Sequence, residues 1–573
     1  MALNESGVIR RPLDTEVQDS KQQRQNFAAA LYKEWPNHAG FEHLDEHRGP
    51  IKLHVKGKIP SFAAGSLYRT GPGQSAVEDT ARGTHYVSHW FDGFAHTHKF
   101  DIVAPEEEGG ETTVVYSSRR QSEEHVAAIK KIGWRHSTSF GQRVDPCVGR
   151  FAKFMSLFKP HHENNSVVVL TNVPGLPHKR PDNTTSGHRT GTQNVYLSTD
   201  NKTLQEIDPD TLEPLGYTKQ VALHPDLKGP LSCAHAQRDP ETGDMFNFNI
   251  DVGRKTTYRM FRVNAATGTT DILAAISEPD LPPAYIHSFF LTENYVVLCV
   301  PSSHYGWSGL KILWENNLLD ALKPFDKSRR CRWFVVDRRH GKGVVARFST
   351  PAGFFFHSVN AFEERNKDDA GQLQTVLNMD LTMYETTDVM LGLYYDVILD
   401  RKDAAKTYWD KWGHQNLATR HARIQFVMPT SPQTEQEAAM AEAEEVLSIP
   451  SPHSGELSTI HPGKAGKAYR YVYGAGSRGL STFMDSIVKT DLKTREAVLW
   501  SAPQAHSPCE PIFVPRPGGA SEDDGVVLTV VLDGTAQKSY LLCLDAATMQ
   551  EVGRAEADFA IGIGFHGHHA SVL

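Results

Sequence analysis

The sequence predicts a large all-β fold, and a β-propeller is the architecture that the pattern favours. From about Gly49 onward, short β-like runs alternate with turns, and Tyr295–Val300 and Val526–Leu532, both rich in Val and Leu, are the clearest runs. A turn signature recurs along the chain without a strict period, and long helical patterns are few. Many hairpins in one chain predict a propeller or another large β array.

The recurring turn signature begins each time with an Asp or an Asn. The side chain of either residue can accept a hydrogen bond from the backbone two residues further on, which favours a tight reversal between antiparallel strands. The turns start at Asp208, Asn264, Asp337, Asp491 and Asp545. We therefore expect a hairpin at each of these positions.

The composition allows an ordinary globular core and excludes one class of partner. Hydrophobic residues make up 39% of the 573 residues and charged residues 22%. The formal net charge is −8 and no long Lys/Arg run is present, so nucleic acid is not expected as the main partner.

Two units are predicted: an N-terminal polar arm at residues 1–45, helical around Asn26–Trp35, and a single propeller domain with cap insertions at residues 46–573. The arm lacks the apolar centre of a secretory signal, and no stretch reaches the roughly 18 apolar residues that span a bilayer. The six cysteines form no CxxC pair, which is typical of reduced intracellular thiols. The expected compartment is the cytosol.

Two segments have helical patterns. Residues Thr434–Leu447 are rich in Ala and Glu, which predicts a solvated surface helix. In Arg150–Lys159, four apolar residues at helical spacing share one face among basic residues: Phe151, Phe154, Met155 and Phe158. This face either packs against the core or rests on a membrane or lipid body, where apolar substrates reside.

Four of the 28 histidines are candidate metal ligands because of their context, and aromatic residues lie close to three of them. They are His235, His287, His357 and His566. Their intervals match no local metal motif, and the helical HExxH motif and paired cysteines are missing. Neutral imidazoles suit iron, copper, zinc and nickel alike, so the residues alone do not identify the metal.

Collinear segments make the chain similar to the carotenoid cleavage oxygenases, the retinal pigment epithelial membrane protein family. The likeness runs from about Ile59 to the C-terminus, and the four histidine contexts follow in the family's order. The other matching segments are Ile59-Pro60, Leu67–Gly73, His89–Gly93, Cys509–Pro515, Glu522–Gly525 and the terminal Gly564–Gly567.

The resemblance implies a seven-bladed β-propeller with a helical and loop cap over an Fe(II) ion, which His235, His287, His357 and His566 bind on the axis. It also implies that carboxylates accept the other ring N–H of three of these histidines. Glu456 and Glu510 match two such positions. Asp200 stands where most relatives have Glu, so its histidine contact must be longer, water-bridged or compensated by a backbone shift. Alternatively, Asp200 only starts a turn.

The activity that the resemblance implies is oxidative cleavage of a conjugated C=C bond with O2. Four neutral ligands leave two octahedral positions open, and both oxygen atoms can end in the two carbonyl products. The iron then carries the redox chemistry, while the protein supplies orientation and a dry tunnel. Phe289, Phe355 and Phe356 are expected either to pack against the substrate or to lie in the core.

A stilbene of the resveratrol type is the substrate slightly favoured by the sequence, ahead of a carotenoid or apocarotenoid. A stilbene phenol needs a group in the tunnel that takes its proton. Lys153, between Phe151 and Phe154, is the candidate, and Tyr116 is a weaker one. Alternatively, Lys153 lies on a solvated helix face. A third family branch isomerises retinoid esters and is less favoured.

A function of another class also has to be weighed, namely a metal-free propeller that binds lipid or protein. The four intact histidines argue against it, since a binding module need not retain them. The expected partners are therefore an apolar small molecule and O2, with a membrane surface contacted through Arg150–Lys159. The protein would be cytoplasmic or peripheral on membranes or lipid bodies.

Overall fold

The computed structural model describes residues 7–107, 109–143, 162–176, 190–253, 255–367, 370–412 and 418–572. Within them, seven antiparallel sheets of four to six strands form the blades of a propeller, and one two-stranded hairpin accompanies them. The predicted all-β, seven-bladed class is confirmed. Arg150–Lys159, with Lys153, lies outside the described residues.

The blades are numbered here in chain order, and their strands from the axis outward. Blade 1 contains Gly567–Ser571, Gly65–Gln74, Phe94–Val103, Thr113–Arg120 and Ile51–Lys52. Blade 2 contains Val168–Thr171, Val195–Ser198, Thr203–Ile207 and Pro214–Lys219. Blade 3 contains Leu231–Ser232 with Gln237–Arg238, then Met245–Asp251, Thr257–Val263 and Thr270–Ile276. Blade 4 contains Phe290–Leu291, Tyr295–Val300, Cys331–Asp337 and Val344–Thr350.

The last three blades follow the same scheme. Blade 5 contains Phe354–Lys367, Leu373–Tyr384, Arg420–Val427 and Glu444–Pro450. Blade 6 contains Glu456–Thr459, Tyr471–Gly476, Ser486–Asp491, Ala497–Ser501 and Gly7–Arg11. Blade 7 contains His506–Pro508 with Ile512–Pro515, then Gly525–Asp533, Lys538–Asp545, Glu551–Glu556 and His54–Gly57. The separate hairpin consists of Ala76–Thr80 and Gly83–Tyr86.

Segments from the two ends of the chain pair with each other and close the ring. Gly567–Ser571 is the innermost strand of blade 1 and pairs with Gly65–Gln74. From the predicted arm, Gly7–Arg11 pairs with Ala497–Ser501 as the outermost strand of blade 6. Because residues from both termini share blades, opening the ring requires breaking a complete strand pair.

The propeller has two unlike faces, since alternate connections of antiparallel strands emerge on opposite sides. On one, the tight-turn face, short loops join the third and fourth strands of blades 2, 3, 4, 6 and 7. All five predicted turns are found there: Asp208 Oδ1, for example, accepts hydrogen bonds from the backbone N–H groups of Asp210 (2.9 Å) and Thr211 (2.8 Å). The turn signature thus marks one equivalent position in five blades.

On the other, the insertion face, long connections join the second and third strands or link one blade to the next. They include residues 75–93, 121–143, 301–330 and 385–412. Six short α-helices lie in them: Glu123–Ile132, Leu310–Glu315, Leu318–Ala321, Val389–Gly392, Tyr395–Ile398 and Ala404–Trp412. Among the described residues, the α-helices outside these insertions are Glu16–Ala28 and Glu435–Met440, and no described helix is long and apolar enough to cross a membrane.

The short 3-10 helices lie mostly in the arm and in the connections. Those in the part of the chain that the structure describes are Leu13–Thr15, Leu31–Glu34, His38–Gly40, Ser61–Ala63, Trp90–Asp92, Gln220–Ala222, Trp307–Gly309, Arg401–Asp403 and Pro462–Lys464.

The helix predicted over Thr434–Leu447 was wrong in its second half. A capping box between Thr434 and Glu437 starts a helix that ends at Met440, and the chain then enters the outer strand Glu444–Pro450. That strand pairs with Arg420–Val427 in blade 5. Pairing at a sheet edge outweighs the helix propensity of the Ala- and Glu-rich segment.

Candidate metal centre

Each blade contributes one polar side chain to a cluster at the propeller axis. At most blade boundaries, the innermost strands of neighbouring blades contact one another around this axis. In blade order, the residues are His566, Asp200, His235, His287, His357, Glu456 and Glu510. Asp200 differs from the others because it lies in the turn between the second and third strands of its blade. Segments remote in sequence therefore meet at one point.

The four histidines converge at ligand-to-ligand distances. One nitrogen from each ring lies within 4.8 Å of the corresponding nitrogens of the other three. The Nε2 atoms of His235 and His287 are 3.1 Å apart, as are those of His357 and His566. Two imidazole nitrogens bound at a right angle to one metal, each at about 2.1 Å, would lie about 3 Å apart. The spacing fits a metal ion held by four imidazoles.

The tautomers of these rings support the same interpretation. Nδ1 of His357 donates to Glu456 (2.6 Å), and Nδ1 of His566 donates to Glu510 (2.7 Å). Because a carboxylate only accepts, the proton of each neutral ring is on Nδ1 and the Nε2 atom carries a lone pair. Two lone pairs facing each other at 3.1 Å repel unless a cation lies between them. The donor set is therefore built to hold a cation.

Asp200 makes a direct contact with its histidine. Nδ1 of His287 donates to Asp200 Oδ2 at 2.7 Å, as short a distance as the two glutamate contacts. The direct contact excludes two of the three alternatives considered for the shorter side chain, namely a longer contact and a water-bridged one. The Asp200 carbonyl accepts from Ser232 N (3.2 Å) and Oδ1 from Ala234 N (3.0 Å), so the turn is bonded to blade 3 beside His235.

Burial controls the charge of this cluster. It lowers the pKa of His235 well below the ordinary value, and the neighbouring histidines lower it further. Burial likewise lowers the pKa of His566, although Glu510 opposes this. Burial alone would raise the pKa of the Glu456 carboxyl, but His357, Leu457 N and Tyr384 hold it below its usual value. Neutral imidazoles beside anionic carboxylates are the forms that bind a metal.

A cavity of about 550 Å3 opens from this cluster toward the insertion face, and His287, His357 and His566 form part of its wall. Its aromatic lining residues are Trp90, Phe91, Phe140, Phe356, Tyr384, Phe483 and Phe565. Its polar lining residues include Arg135, Glu163, Asn164, Asn201, Lys202 and Lys219. The cavity can therefore hold an apolar molecule, with aromatic rings packed against it beside the histidines.

Of the three phenylalanines expected either in the pocket or in the core, one lines this cavity. Phe356 does so, whereas Phe289 and Phe355 are buried in separate core clusters. Tyr116 is also buried in the core, where its hydroxyl contacts Nδ1 of His98 at 2.7 Å, and it does not line the cavity. Lys153 belongs to the residues that are not described.

Several residues of the cavity wall were not singled out from the sequence. Asp92, in the segment His89–Gly93, accepts from the backbone N–H groups of Phe140 and Gly141 at 2.7 Å each and pairs with Arg135 at 3.0 Å. This buried carboxylate thus anchors one wall of the cavity. Phe565 also lines the cavity, and its place directly before the candidate ligand His566 was a sequence signal that could have identified it.

Comparisons with known proteins identify the family. A family profile described as retinal pigment epithelial membrane protein (RPE65) matches residues 40–571. The torulene dioxygenase of Fusarium fujikuroi is 57% identical over 576 residues, which cover 99% of both chains. The carotenoid dioxygenase of Neurospora crassa is 50% identical over 580 residues, covering 97% of this chain and 94% of the relative.

Solved structures agree on the fold. A Synechocystis apocarotenoid oxygenase mutant superposes with a TM-score of 0.70 at 20% identity, covering 95% of this chain and 99% of that chain. The cobalt-substituted Synechocystis enzyme gives a TM-score of 0.69 at 21% identity, with 95% and 98% covered. The axial histidine cluster, the matching profile and the full-length relatives agree with the resemblance found in the sequence. The chain therefore belongs to the retinal pigment epithelial membrane protein family, and it is a dioxygenase of the carotenoid cleavage oxygenase type.

Proposed function

We propose that the protein is a non-haem Fe(II) dioxygenase that cleaves a conjugated C=C bond of a carotenoid or apocarotenoid with O2 into two carbonyl products. The observation that carries the proposal is the axial cluster, in which His235, His287, His357 and His566 point nitrogen atoms at one another. Three of these rings have carboxylate partners that hold the proton on the far nitrogen.

A ferrous ion held by these four histidines would supply the redox chemistry toward O2. The chain's own residues have three tasks. Asp200, Glu456 and Glu510 keep the Nδ1–H protons and the ring orientations of three histidines. The aromatic wall aligns a flat, conjugated substrate beside the cluster, and its apolar surface excludes water from the reacting bond.

The relatives favour a carotenoid over a stilbene. Two full-length relatives at 50% identity or more are named torulene dioxygenase and carotenoid dioxygenase. The stilbene preference drawn from the sequence depends on Lys153, which the structure does not describe, and the names of the two relatives point to carotenoids. We therefore replace it with the carotenoid alternative.

A single incubation tests the activity and the substrate together. The iron-loaded protein is incubated under air with torulene, β-carotene, several apocarotenals, resveratrol and piceatannol, and the aldehydes are identified by mass. We expect carotenoid-derived aldehydes that carry one oxygen atom each from 18O2. Cleavage of resveratrol alone would restore the stilbene assignment, and no product from any substrate would contradict the proposed activity.

We also propose that the protein is cytoplasmic and contacts membranes peripherally through the insertion face. Four large apolar side chains are 51–65% exposed there: Trp307, Leu310, Leu313 and Trp314, defined here as the Trp-Leu patch. Leu313 also lines the cavity, so the patch adjoins the route to the cluster. Exposed Trp and Leu beside an apolar cavity suit a lipid interface, where a carotenoid would be dissolved.

Flotation with phosphatidylcholine vesicles tests this contact. We expect the wild-type protein to float with the vesicles and Leu313→Asp/Trp314→Asp to remain mostly in solution. Met440→Asp is the matched control, because Met440 is 73% exposed on a helix of the tight-turn face. Equal flotation of all three proteins would contradict the assignment of this patch.

A further inference from the structure

Two buried phenols donate hydrogen bonds to two of the carboxylates that hold the histidines. We propose that Tyr384 and Tyr285 are positioning residues, which orient Glu456 and Asp200 so that His357 and His287 present their Nε2 atoms to one metal ion. The inference rests on the proposed function, because it takes the four histidines as ligands.

Tyr384 makes the more critical of the two contacts. Its hydroxyl donates to Glu456 Oε1 at 3.0 Å. The other carboxylate oxygen, Oε2, already accepts from His357 Nδ1 (2.6 Å) and from the backbone N–H of Leu457 (2.7 Å). Among the described residues, Tyr384 is therefore the donor to Oε1. Without it, a buried carboxylate oxygen loses its partner, and the group can rotate away from His357.

Tyr285 acts on Asp200 in a different manner. Its hydroxyl donates to Oδ2 at 2.8 Å, the same oxygen that accepts from His287 Nδ1. The hydroxyl is also 3.3 Å from that ring nitrogen. The second oxygen, Oδ1, accepts from Ala234 N, so each oxygen would keep one donor if the phenol were removed. We therefore expect a smaller effect at Tyr285 than at Tyr384.

The third carboxylate shows why phenols are needed at only two positions. Glu510 Oε1 accepts from His566, and Oε2 accepts at 2.7 Å from the backbone N–H of Gly567. The guanidinium of Arg69 lies 3.8 Å from the same oxygen. Each oxygen of Glu510 therefore has a donor without a phenol: Oε1 accepts from the ligand ring and Oε2 from the backbone. At Glu456, the hydroxyl of Tyr384 supplies the donor for the oxygen that His357 does not contact. At Asp200, the hydroxyl of Tyr285 adds a second donor to the oxygen that His287 contacts.

The packing around the two phenols keeps them in place. Tyr285 and Tyr384 are 3% and 5% exposed, and Phe354 and Phe356 pack between them at centroid distances of 5.9–6.4 Å. Phe356 also contacts the rings of His287 (5.7 Å) and His357 (6.1 Å). Phenols confined in this way have one orientation available, as a positioning role requires.

The test measures metal binding to the full-length apo-protein, with Fe(II) under anaerobic conditions and with Co(II) as a spectroscopic probe. Removal of a carboxylate that hydrogen-bonds a ligand histidine typically weakens metal affinity about 10–100-fold. The phenols lie one contact further from the metal, so we expect a loss of affinity of roughly 3–10-fold for Tyr384→Phe and a smaller loss for Tyr285→Phe. The Co(II) absorption bands should shift in both variants. Tyr305→Phe is the matched control: Tyr305 is 1% exposed, and its hydroxyl has no hydrogen-bond partner within the described chain.

A double-mutant cycle separates positioning from general damage. If Tyr384 acts through Glu456, Tyr384→Phe/Glu456→Gln should bind Co(II) no more weakly than Glu456→Gln alone. Additive losses, or unchanged affinity and spectra in both single Tyr variants, would overturn the inference. If Tyr384→Phe fails to fold, the same cycle with Tyr285 and Asp200 decides. A wild-type protein that takes up no metal would remove the proposed function, and this inference with it.

Discussion

The two faces of the propeller are built from the same blades but differ in what their loops do. On the tight-turn face, five blades end their third strand with the same Asp or Asn turn, which closes a hairpin. On the insertion face, long connections carry helices, form much of the wall of the cavity and expose the Trp-Leu patch. The turns that stabilise hairpins and the loops that line the cavity thus lie at opposite ends of the propeller axis, with the histidine cluster between them.

The largest effect is expected from removing an axial histidine. His357→Ala should abolish metal retention and reduce turnover by at least about 100-fold, because one of four ligands is lost. Metal per chain after loading and product formation measure this. The thermal midpoint of the metal-free protein should change little, since one side chain contributes little to so large a core.

His340→Ala is the matched control for that experiment. His340 is a largely exposed histidine within a turn of the tight-turn face. It should retain full metal content and turnover. A His357→Ala variant that cleaves at the wild-type rate would remove His357 from the ligand set.

A smaller effect is expected at Glu510, which contacts the ligand histidine His566 but does not itself bind the metal. Glu510→Gln should lower activity roughly 10–100-fold, because an amide holds the His566 N–H less strongly than a carboxylate. Steady-state turnover at full iron loading measures the change. Asp545→Asn on the tight-turn face is the control, since Asn still accepts the turn's hydrogen bonds. Equal activities of the two variants would show that Glu510 does not orient a ligand.

Changes in the insertion face should alter substrate capture more than metal binding. Phe483 lies in a connection of blade 6 and lines the cavity, so Phe483→Ala removes one ring from the aromatic wall. We expect KM for the carotenoid to rise about fivefold, with metal content per chain unchanged, since the lost apolar contact weakens binding by about 1 kcal/mol. Loss of metal in this variant would contradict the separation of the two regions.

The smallest effect is expected on the tight-turn face itself. Asp208→Ala removes the hydrogen bonds to Asp210 N and Thr211 N. The free energy of unfolding should fall by about 1 kcal/mol, with activity per folded molecule unchanged. Denaturant unfolding together with specific activity checks this. A clear loss of specific activity would show that the turns are coupled to the cluster.

The strand and turn pattern and the resemblance could be predicted from the sequence alone, and the resemblance implied the four histidines, Glu456 and Glu510, while Asp200 stayed open between a histidine contact and a turn. These follow from local periodicity and from short segments whose residue types are restrictive. At Thr434–Leu447, local propensity failed because edge pairing outweighs it. For the phenylalanines, pocket and core positions were both open: Phe355 lies in the core because it and the cavity-lining Phe356 are neighbours in one strand and face opposite sides of the sheet, and Phe289 also lies in the core.

The three-dimensional structure was needed to show how seven blades bring one polar group each to the axis. It also decided that Asp200 reaches His287 directly, because the Asp200 turn is bonded to the backbone of blade 3. The phenols of Tyr285 and Tyr384 acquire their role in the same way, since their partners lie 85 and 72 residues away. Hydrogen bonds between blades depend on strand register and ring closure, and no local pattern of residues encodes these distances.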